Sequence, residues 1–227
     1  MNHQPRFAIH QGDAVEWLKS LDDASVDLII TDPAYESLEK HRKRGTTTRL
    51  KKSKASSNSW FPVFPNRRFD DLLAEMYRVL KHNRHLYVMC DAETAFIIKP
   101  IGEAAGFKFW KPLIWDKVKM GTGYHYRAQY EMILFFEKGK RALNSRKVRD
   151  VLQVPSLRGS NLYPTEKPVE LSKILIEQSS RAGEWVIDPF MGSGSVGDAA
   201  VRCGRLFTGC DISAESVRST RERLQHL

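Results

Sequence analysis

The sequence predicts an α/β fold, a parallel sheet covered by helices within one domain, and three observations carry that prediction. Short apolar runs end at an acid in three places: VDLIITD over residues 26–32, EWVID over 184–188 and LFTGCD over 206–211. In the first, Val26, Leu28, Ile29 and Ile30 are nearly continuous, as in a strand buried on both faces of a parallel sheet. Between the runs, apolar residues recur at helical spacing, and 227 residues suffice for one medium domain with a sizeable core.

In chain order, residues 7–10 read as a short strand. Ala14, Val15, Trp17, Leu18 and Leu21 then repeat as one face of a helix, with Asp13 at the N-cap position. Position alone favours a cap for Asp13 over a ligand contact. The strand at 26–32 stops at Asp32, followed by Pro33 and Tyr35. Ligands of open α/β sheets bind at the carboxyl ends of strands, so a carboxylate there is placed for chemistry. Pro33 has no N–H and biases Asp32 toward extended backbone, which projects the side chain and leaves carbonyls free as acceptors. An acid, a free carbonyl and an aromatic face suit a planar ring with an exocyclic amine, whose nitrogen is a poor nucleophile until acceptors hold its hydrogens. Asp32, Pro33 and Tyr35 are therefore the candidate catalytic residues, although Asp-Pro is also an ordinary turn signal.

Residues 36–58 form a basic loop with little periodicity, carrying Lys40, Arg42, Lys43, Arg44, Arg49, Lys51, Lys52 and Lys54. Its attachment to the Asp32 turn suits contact with phosphates. Asp70 precedes an amphipathic helix with Leu72, Leu73, Met76, Val79 and Leu80; residues 85–89 read as a strand, and 93–105 as a helix kinked at Pro100 and ended by Gly106. Strands at 109–115 and 130–136 flank a connection with Gly121, Gly123, Tyr124, His125, Tyr126 and Arg127. That mix suits an unstacked base or a nucleic-acid backbone, and equally a plain hairpin tip. The chain is basic again from 138 to 158, with Lys138, Lys140, Arg141, Arg146, Lys147, Arg149 and Arg158; residues 138–162 are the candidate segment for reading a base sequence. Thr165, Glu166, Lys167 and Pro168 open a helix that buries Leu171, Ile174 and Leu175. A strand at 184–188 leads through Pro189, Phe190 and Met191 to Gly192, Gly194 and Gly197, with a helix from about Ser195; a strand at 206–209 runs on to Asp211, and the last helix covers 215–224.

The formal charge of +9 and pI near 9.5, with the excess clustered, point to a polyanionic partner such as nucleic acid. Cys90, Cys203 and Cys210 are odd in number and lack metal-ligand spacing, which favours free thiols in a reducing cytoplasm and no metal site. No stretch has the length of a membrane span, and the polar start MNHQPRF lacks the apolar core of a signal peptide.

A strand, a glycine turn and a helix start make a ligand corner, because glycine lets the backbone come close and the helix offers free N–H groups. Gly192, Gly194 and Gly197 match G-x-G-x-x-G with Asp211 near the spacing of a ribose acid, so a nicotinamide oxidoreductase is a legitimate rival. Against it, one helix alone follows Asp211, and Asp188 would face two phosphates. A ligand with a cationic centre and a ribose suits both acids better, and S-adenosylmethionine is such a ligand. Its sulfonium carries the methyl group that an activated amine attacks.

Four elements in this order resemble the beta-class amino-group DNA methyltransferases: QGD at 11–13, DPAY at 32–35, TEKPVEL from Thr165, and DPFMGSG at 188–194. In that family a D-P-P-Y element precedes the F-x-G-x-G element. The resemblance implies a Rossmann-like fold with permuted motif order, and a seven-stranded mixed sheet with helices on both faces, one antiparallel strand entering through the last hairpin. It implies S-adenosylmethionine contacts at Asp13, Ala14, Asp32, Thr165, Lys167, Asp188, Pro189, Phe190, Gly192, Ser193, Gly194, Ser195, Asp211 and Ile212, which revises the reading of Asp13 as a mere cap. It further implies double-stranded DNA as partner, a target base flipped into the pocket, and direct transfer with neither a metal nor a membrane. The two basic stretches and Arg127 are the candidate DNA contacts. Adenine N6 is the expected target because Asp heads the motif in most adenine enzymes of the family; cytosine N4 is the alternative, and a DNA-binding protein with a dead site is another. Members that methylate protein glutamine carry Asn there. Ala34 departs from the second proline and leaves the turn less stiff. A homodimer and a cognate restriction endonuclease are compatible with the sequence, which specifies neither.

Overall fold

β2 (Val26–Thr31) is buried along all six of its residues, as its aliphatic run requires, and its alternating side chains enter two separate cores. Leu28 and Ile30 pack into one core and Ile29 into the other; Val26 shares the core of Ile29 because the strand's register shifts between Val26 and Leu28. Asp27 is the exception in the run, and its carboxylate is matched by Lys81, Arg84 and the Trp185 N–H at 2.9 to 3.1 Å. The computed structural model describes residues 6–37, 62–121, 125–157 and 166–227.

Around β2 the described strands are β1 (Phe7–Gln11), β3 (Leu80–Cys90), β4 (Lys108–Asp116), β5 (Tyr130–Lys138), β6 (Val151–Gln153), β7 (Trp185–Asp188) and β8 (Leu206–Asp211). They form one eight-stranded sheet in the order β1-β8-β7-β2-β3-β5-β4-β6. The first five in that order are parallel; β5 runs antiparallel to both β3 and β4, and β6 adds to β4 in parallel. The sheet is thus mixed, as expected, with eight strands instead of seven. The additional one is the three-residue β6, which pairs Val151, Leu152 and Gln153 with Ile114, Trp115 and Asp116.

Helices cover both faces. On one lie α1 (Ala14–Lys19), α2 (Phe69–Val79) and α3 (Ala92–Ala104), sharing a core with Val26 and Ile29. On the other lie α4 (Val169–Ser179), α5 (Ser195–Arg202) and α6 (Ala214–Gln225), packed on Leu28 and Ile30. In α2 the buried residues Phe69, Leu72, Leu73, Met76 and Val79 recur every three or four positions, the stripe that one sheet face demands. That helix starts one residue before Asp70, which falls in its first turn beside the helix dipole. Asp91 caps α3 through the Thr94 N–H, and Pro100 sits inside the helix without ending it. Gly102 is required where α3 crosses β5, since a Cβ there would lie 2.7 Å from Phe136 Cε1. β3 leaves α2 directly at Leu80, earlier than expected, because polar Lys81 to Arg84 disguise its first turn of pairing.

β7 connects leftward to β8 through α5, whereas β2 connects rightward to β3 through α2. The crevice between the carboxyl ends of β7 and β2 is therefore a topological switch point, where open α/β sheets bind ligands. No helix among the described residues is long and apolar enough to cross a membrane.

Candidate active site

A cavity of about 510 Å³ opens at that switch point, large enough for a small-molecule ligand. Asp32 follows β2 and Asp188 ends β7, and pairing of Leu28 with Val186 and Ile29 with Ile187 sets the two strand ends side by side. Thr31 Oγ1 donates to Asp188 Oδ1 at 2.8 Å, tying the ends together, and the Phe190 N–H donates to the same oxygen at 2.9 Å. Burial pushes the Asp188 carboxyl up to about 7, against the pull of those two donors.

The 32–35 turn forms one wall. The Phe64 N–H donates to the Ala34 carbonyl at 2.6 Å, and Tyr35 makes a β-bridge with Phe64. This pairing fixes the turn from outside where a second proline would have fixed it from within. Phe64 also meets Phe190 edge to face at 5.1 Å, joining this wall to the glycine corner. Tyr35 is buried against the cavity, and burial beside Asp32 holds its phenol protonated.

At the glycine corner Gly194 takes φ +80° as N-cap of α5, a conformation open to glycine, and Thr220 Oγ1 donates to the Gly192 carbonyl at 2.9 Å. Asp211 at the end of β8 accepts the N–H groups of Gly192 at 2.9 Å and Ser213 at 2.8 Å, one on each oxygen. The Ser216 side chain adds a third hydrogen bond, which leaves about one of the carboxylate's roughly four acceptor positions for a further donor. Burial raises the Asp211 carboxyl despite these bonds.

Asp13 does cap α1, accepting from Val15 and Glu16 at 3.0 and 3.2 Å, and it also faces the cavity. Arg68 grips it with both guanidinium nitrogens at 2.7 and 2.8 Å, and this bond lowers the Asp13 carboxyl. Across the cavity, the Lys167 ammonium donates to Asp32 Oδ2 and lies 3.3 Å from Glu131 Oε2, while Lys117 bonds Glu131 Oε1. Burial raises Asp32 and outweighs Lys167; for Glu131 burial is outweighed by Lys167 and Lys117, so its carboxyl stays low. Burial is likewise outweighed at Lys167, which Asp32 and Glu131 keep charged.

The structure brings Asp13, Ala14, Asp32, Pro33, Tyr35, Lys167, Asp188, Pro189, Phe190, Gly192, Ser193, Ser195, Asp211 and Ile212 to one cavity, with Gly194 just behind it. Thr165, Gly123, Tyr124, Arg158 and the basic residues Lys40, Arg42, Lys43, Arg44, Arg49, Lys51, Lys52 and Lys54 lie outside the described residues. Arg127, Arg146, Lys147 and Arg149 are exposed. Arg141 needs correction: its side chain is 12% exposed and lies 3.8 Å from Glu184, and its backbone is bonded to Glu137 and His85, which makes it part of the fold. Nor is its segment free of the core, since Asn144 bonds the end of α4 and Leu152 and Val154 are buried.

Sequence reasoning missed Arg68, Lys117, Glu131 and Arg223. Glu131 alone had a legible signal, an acid at the head of the apolar run MILFF. Arg223 reaches from α6 to Glu166, Asp198 and the Ser193 carbonyl at 2.8 to 3.0 Å, bracing the glycine corner against the segment that carries Lys167.

The family model described as DNA methylase, N6_N4_Mtase, matches residues 26–222. DNA adenine methyltransferase YhdJ of Escherichia coli strain K12 is 29% identical over 260 residues, an alignment covering 98% of this chain and 83% of YhdJ. Among solved structures, the M1.HpyAVI–SAM complex superposes with TM-score 0.71 at 24% identity, covering 96% of this chain and 98% of that one. The cytosine-N4-specific PvuII DNA methyltransferase superposes with TM-score 0.75 at 14% identity, covering 98% and 89%.

Proposed function

The chain belongs to the DNA methylase family, and from that membership we propose that it methylates the exocyclic N6 of adenine in double-stranded DNA, using S-adenosylmethionine. The observation that carries the reading is the shared cavity, in which the Asp32 turn and the glycine corner meet at the ends of adjacent parallel strands.

The residues present fit that cofactor. Asp188 is a buried carboxylate suited to its cationic end, Asp211 has acceptor capacity left for a ribose hydroxyl, and Gly192 lets the backbone approach closely. Asp13, kept ionised by Arg68, is an acceptor for the adenine amine at the far end. Bound there, S-adenosylmethionine supplies an electrophilic methyl group.

The chain's own part is to make the target nitrogen nucleophilic. Asp32 and the Pro33 carbonyl accept the two amine hydrogens and favour a tetrahedral nitrogen, and Tyr35 offers its ring to the flipped base. The Asp32 carboxylate takes the proton that the nitrogen sheds after transfer. Arg127, Arg146, Lys147 and Arg149 offer cations for the DNA backbone, with the basic stretch at 36–58.

Asp at the head of the motif and the adenine enzyme among the relatives support adenine. The likeness to a cytosine-N4 enzyme supports the second reading, the same chemistry on cytosine N4. Incubation with isotopically labelled S-adenosylmethionine and unmethylated DNA, then nucleoside mass spectrometry, separates them. The expected product is N6-methyladenine from the wild type and none from Asp32→Ala. N4-methylcytosine would establish the second reading, and cofactor binding without any methylated nucleoside would mark a dead site.

A further inference from the structure

Glu131 is a charged residue of the cavity wall that the chemistry above leaves without a task. It is the second residue of β5, next to Met132 and Ile133, and its side chain is 20% exposed. Its two oxygens have different partners: Oε1 accepts from Lys117, and Oε2 faces the Lys167 ammonium at 3.3 Å. The same ammonium, on a side chain only 12% exposed, donates to Asp32 Oδ2. One cation is therefore shared between the acid assigned to the target amine and an acid with no such assignment.

That sharing has a consequence for catalysis. While Lys167 occupies Asp32 Oδ2, it competes with the hydrogen of an incoming amine for that oxygen. A buried ammonium cannot simply leave one counter-charge unless another takes its place, because an uncompensated buried charge is strongly unfavourable. Glu131 supplies a second counter-charge on the other side, already held in place by Lys117.

We infer that Glu131 is a positioning residue that draws Lys167 off Asp32 when the target base enters, freeing Asp32 to accept the amine hydrogen. The inference rests on the proposed amine methylation. Facing Asp32 are Lys167 from the segment before α4, Glu131 from β5, Lys117 from the end of β4, Asp188 from β7, Tyr35, and Cys90 from the end of β3, with Asp91 beside Tyr35 and Cys90. Among the described residues, Glu131 is the acid besides Asp32 that pairs with Lys167.

Glu131→Gln keeps the shape of the side chain and removes its charge, leaving Lys167 to Asp32. In steady-state methylation at saturating cofactor and DNA, kcat should fall about tenfold, a positioning effect smaller than the roughly 100-fold low end of acid–base contributions. The acid limb of its pH profile should move to lower pH, since a negative neighbour of Asp32 has gone. S-adenosylmethionine affinity should remain near that of the wild type. A merely structural role would lower the melting temperature and cofactor affinity while leaving the acid limb in place, and that result overturns the inference, as does an unchanged kcat. If the Gln variant does not fold, Glu131→Asp carries the test: with charge kept and reach shortened, it should lose rate without moving the acid limb, and an unaltered rate refutes the role. An inactive wild type would instead overturn the parent reading.

Discussion

The proposed contact of Asp188 with a cationic cofactor predicts an affinity that depends on pH near neutrality. Its carboxyl is buried and pushed up to about 7, from an ordinary value of 3.8. In the empty protein it is half protonated there, and a cation binds well only to the ionised form. The sign follows: affinity rises as pH climbs through 7 and falls below it, with protons released on binding. Between pH 7.5 and 6 the ionised fraction drops from about three quarters to about one tenth, which weakens binding about eightfold, or roughly 1.2 kcal/mol. Isothermal titration with S-adenosylmethionine at the two pH values, repeated in buffers of different ionisation heat, reads both the affinity and the proton count. Asp188→Asn should bind weakly at both and lose the slope. Equal wild-type affinity at pH 6 and 7.5, or an Asn variant that keeps the slope, would refute the reasoning.

Other consequences can be measured separately. Arg68→Ala leaves Asp13 its helix-capping bonds but removes its bidentate partner; titration should show S-adenosylmethionine binding weaker by about fivefold, near 1 kcal/mol, with Arg68→Lys intermediate. Gly194→Ala forces a side chain onto φ +80° and sets its Cβ 2.6 Å from Thr220 Cγ2, so denaturant unfolding should show a loss of about 2 to 3 kcal/mol, partly recovered by adding Thr220→Ser. His85 is buried between Ser179 Oγ and the Arg141 carbonyl, and burial lowers its imidazole to about 4 from 6.5. Its contribution is complete above pH 6.5 and is lost as pH falls toward 4, by up to about 3 kcal/mol. Asp188 acts in the opposite sense over that window, so the test is the stability gap between wild type and His85→Asn, which should narrow on acidification; a constant gap would contradict it.

Much of this arrangement was legible because its signals are local. An apolar run stopping at an acid marks a strand end, and Val26 to Asp32 and Trp185 to Asp188 both ended where expected, side by side in the sheet. Glycine spacing placed the start of α5 at Ser195. Asp13 proved to have both roles, cap and cavity wall. What escaped depends on distant partners. Nothing in the neighbourhood of Arg68 announces that it will reach Asp13, 55 positions away, and β6 is too short to show a period. Arg141 looked like a surface cation because its run is basic, whereas its counter-charge, Glu184, stands beside a distant strand, and Glu137 of β5 holds its backbone N–H. Charge in sequence reports composition; burial of that charge is decided by tertiary partners.

The central claim is that the Asp32 turn and the glycine corner serve one methyl transfer. A crystal structure with duplex DNA and a non-reactive cofactor analogue tests it most directly. The account predicts an adenine swung out of the duplex, its N6 between the Asp32 carboxylate and the Pro33 carbonyl, with the analogue between Asp188 and Asp211. A target base left stacked in the helix, or an analogue bound away from those acids, would contradict it.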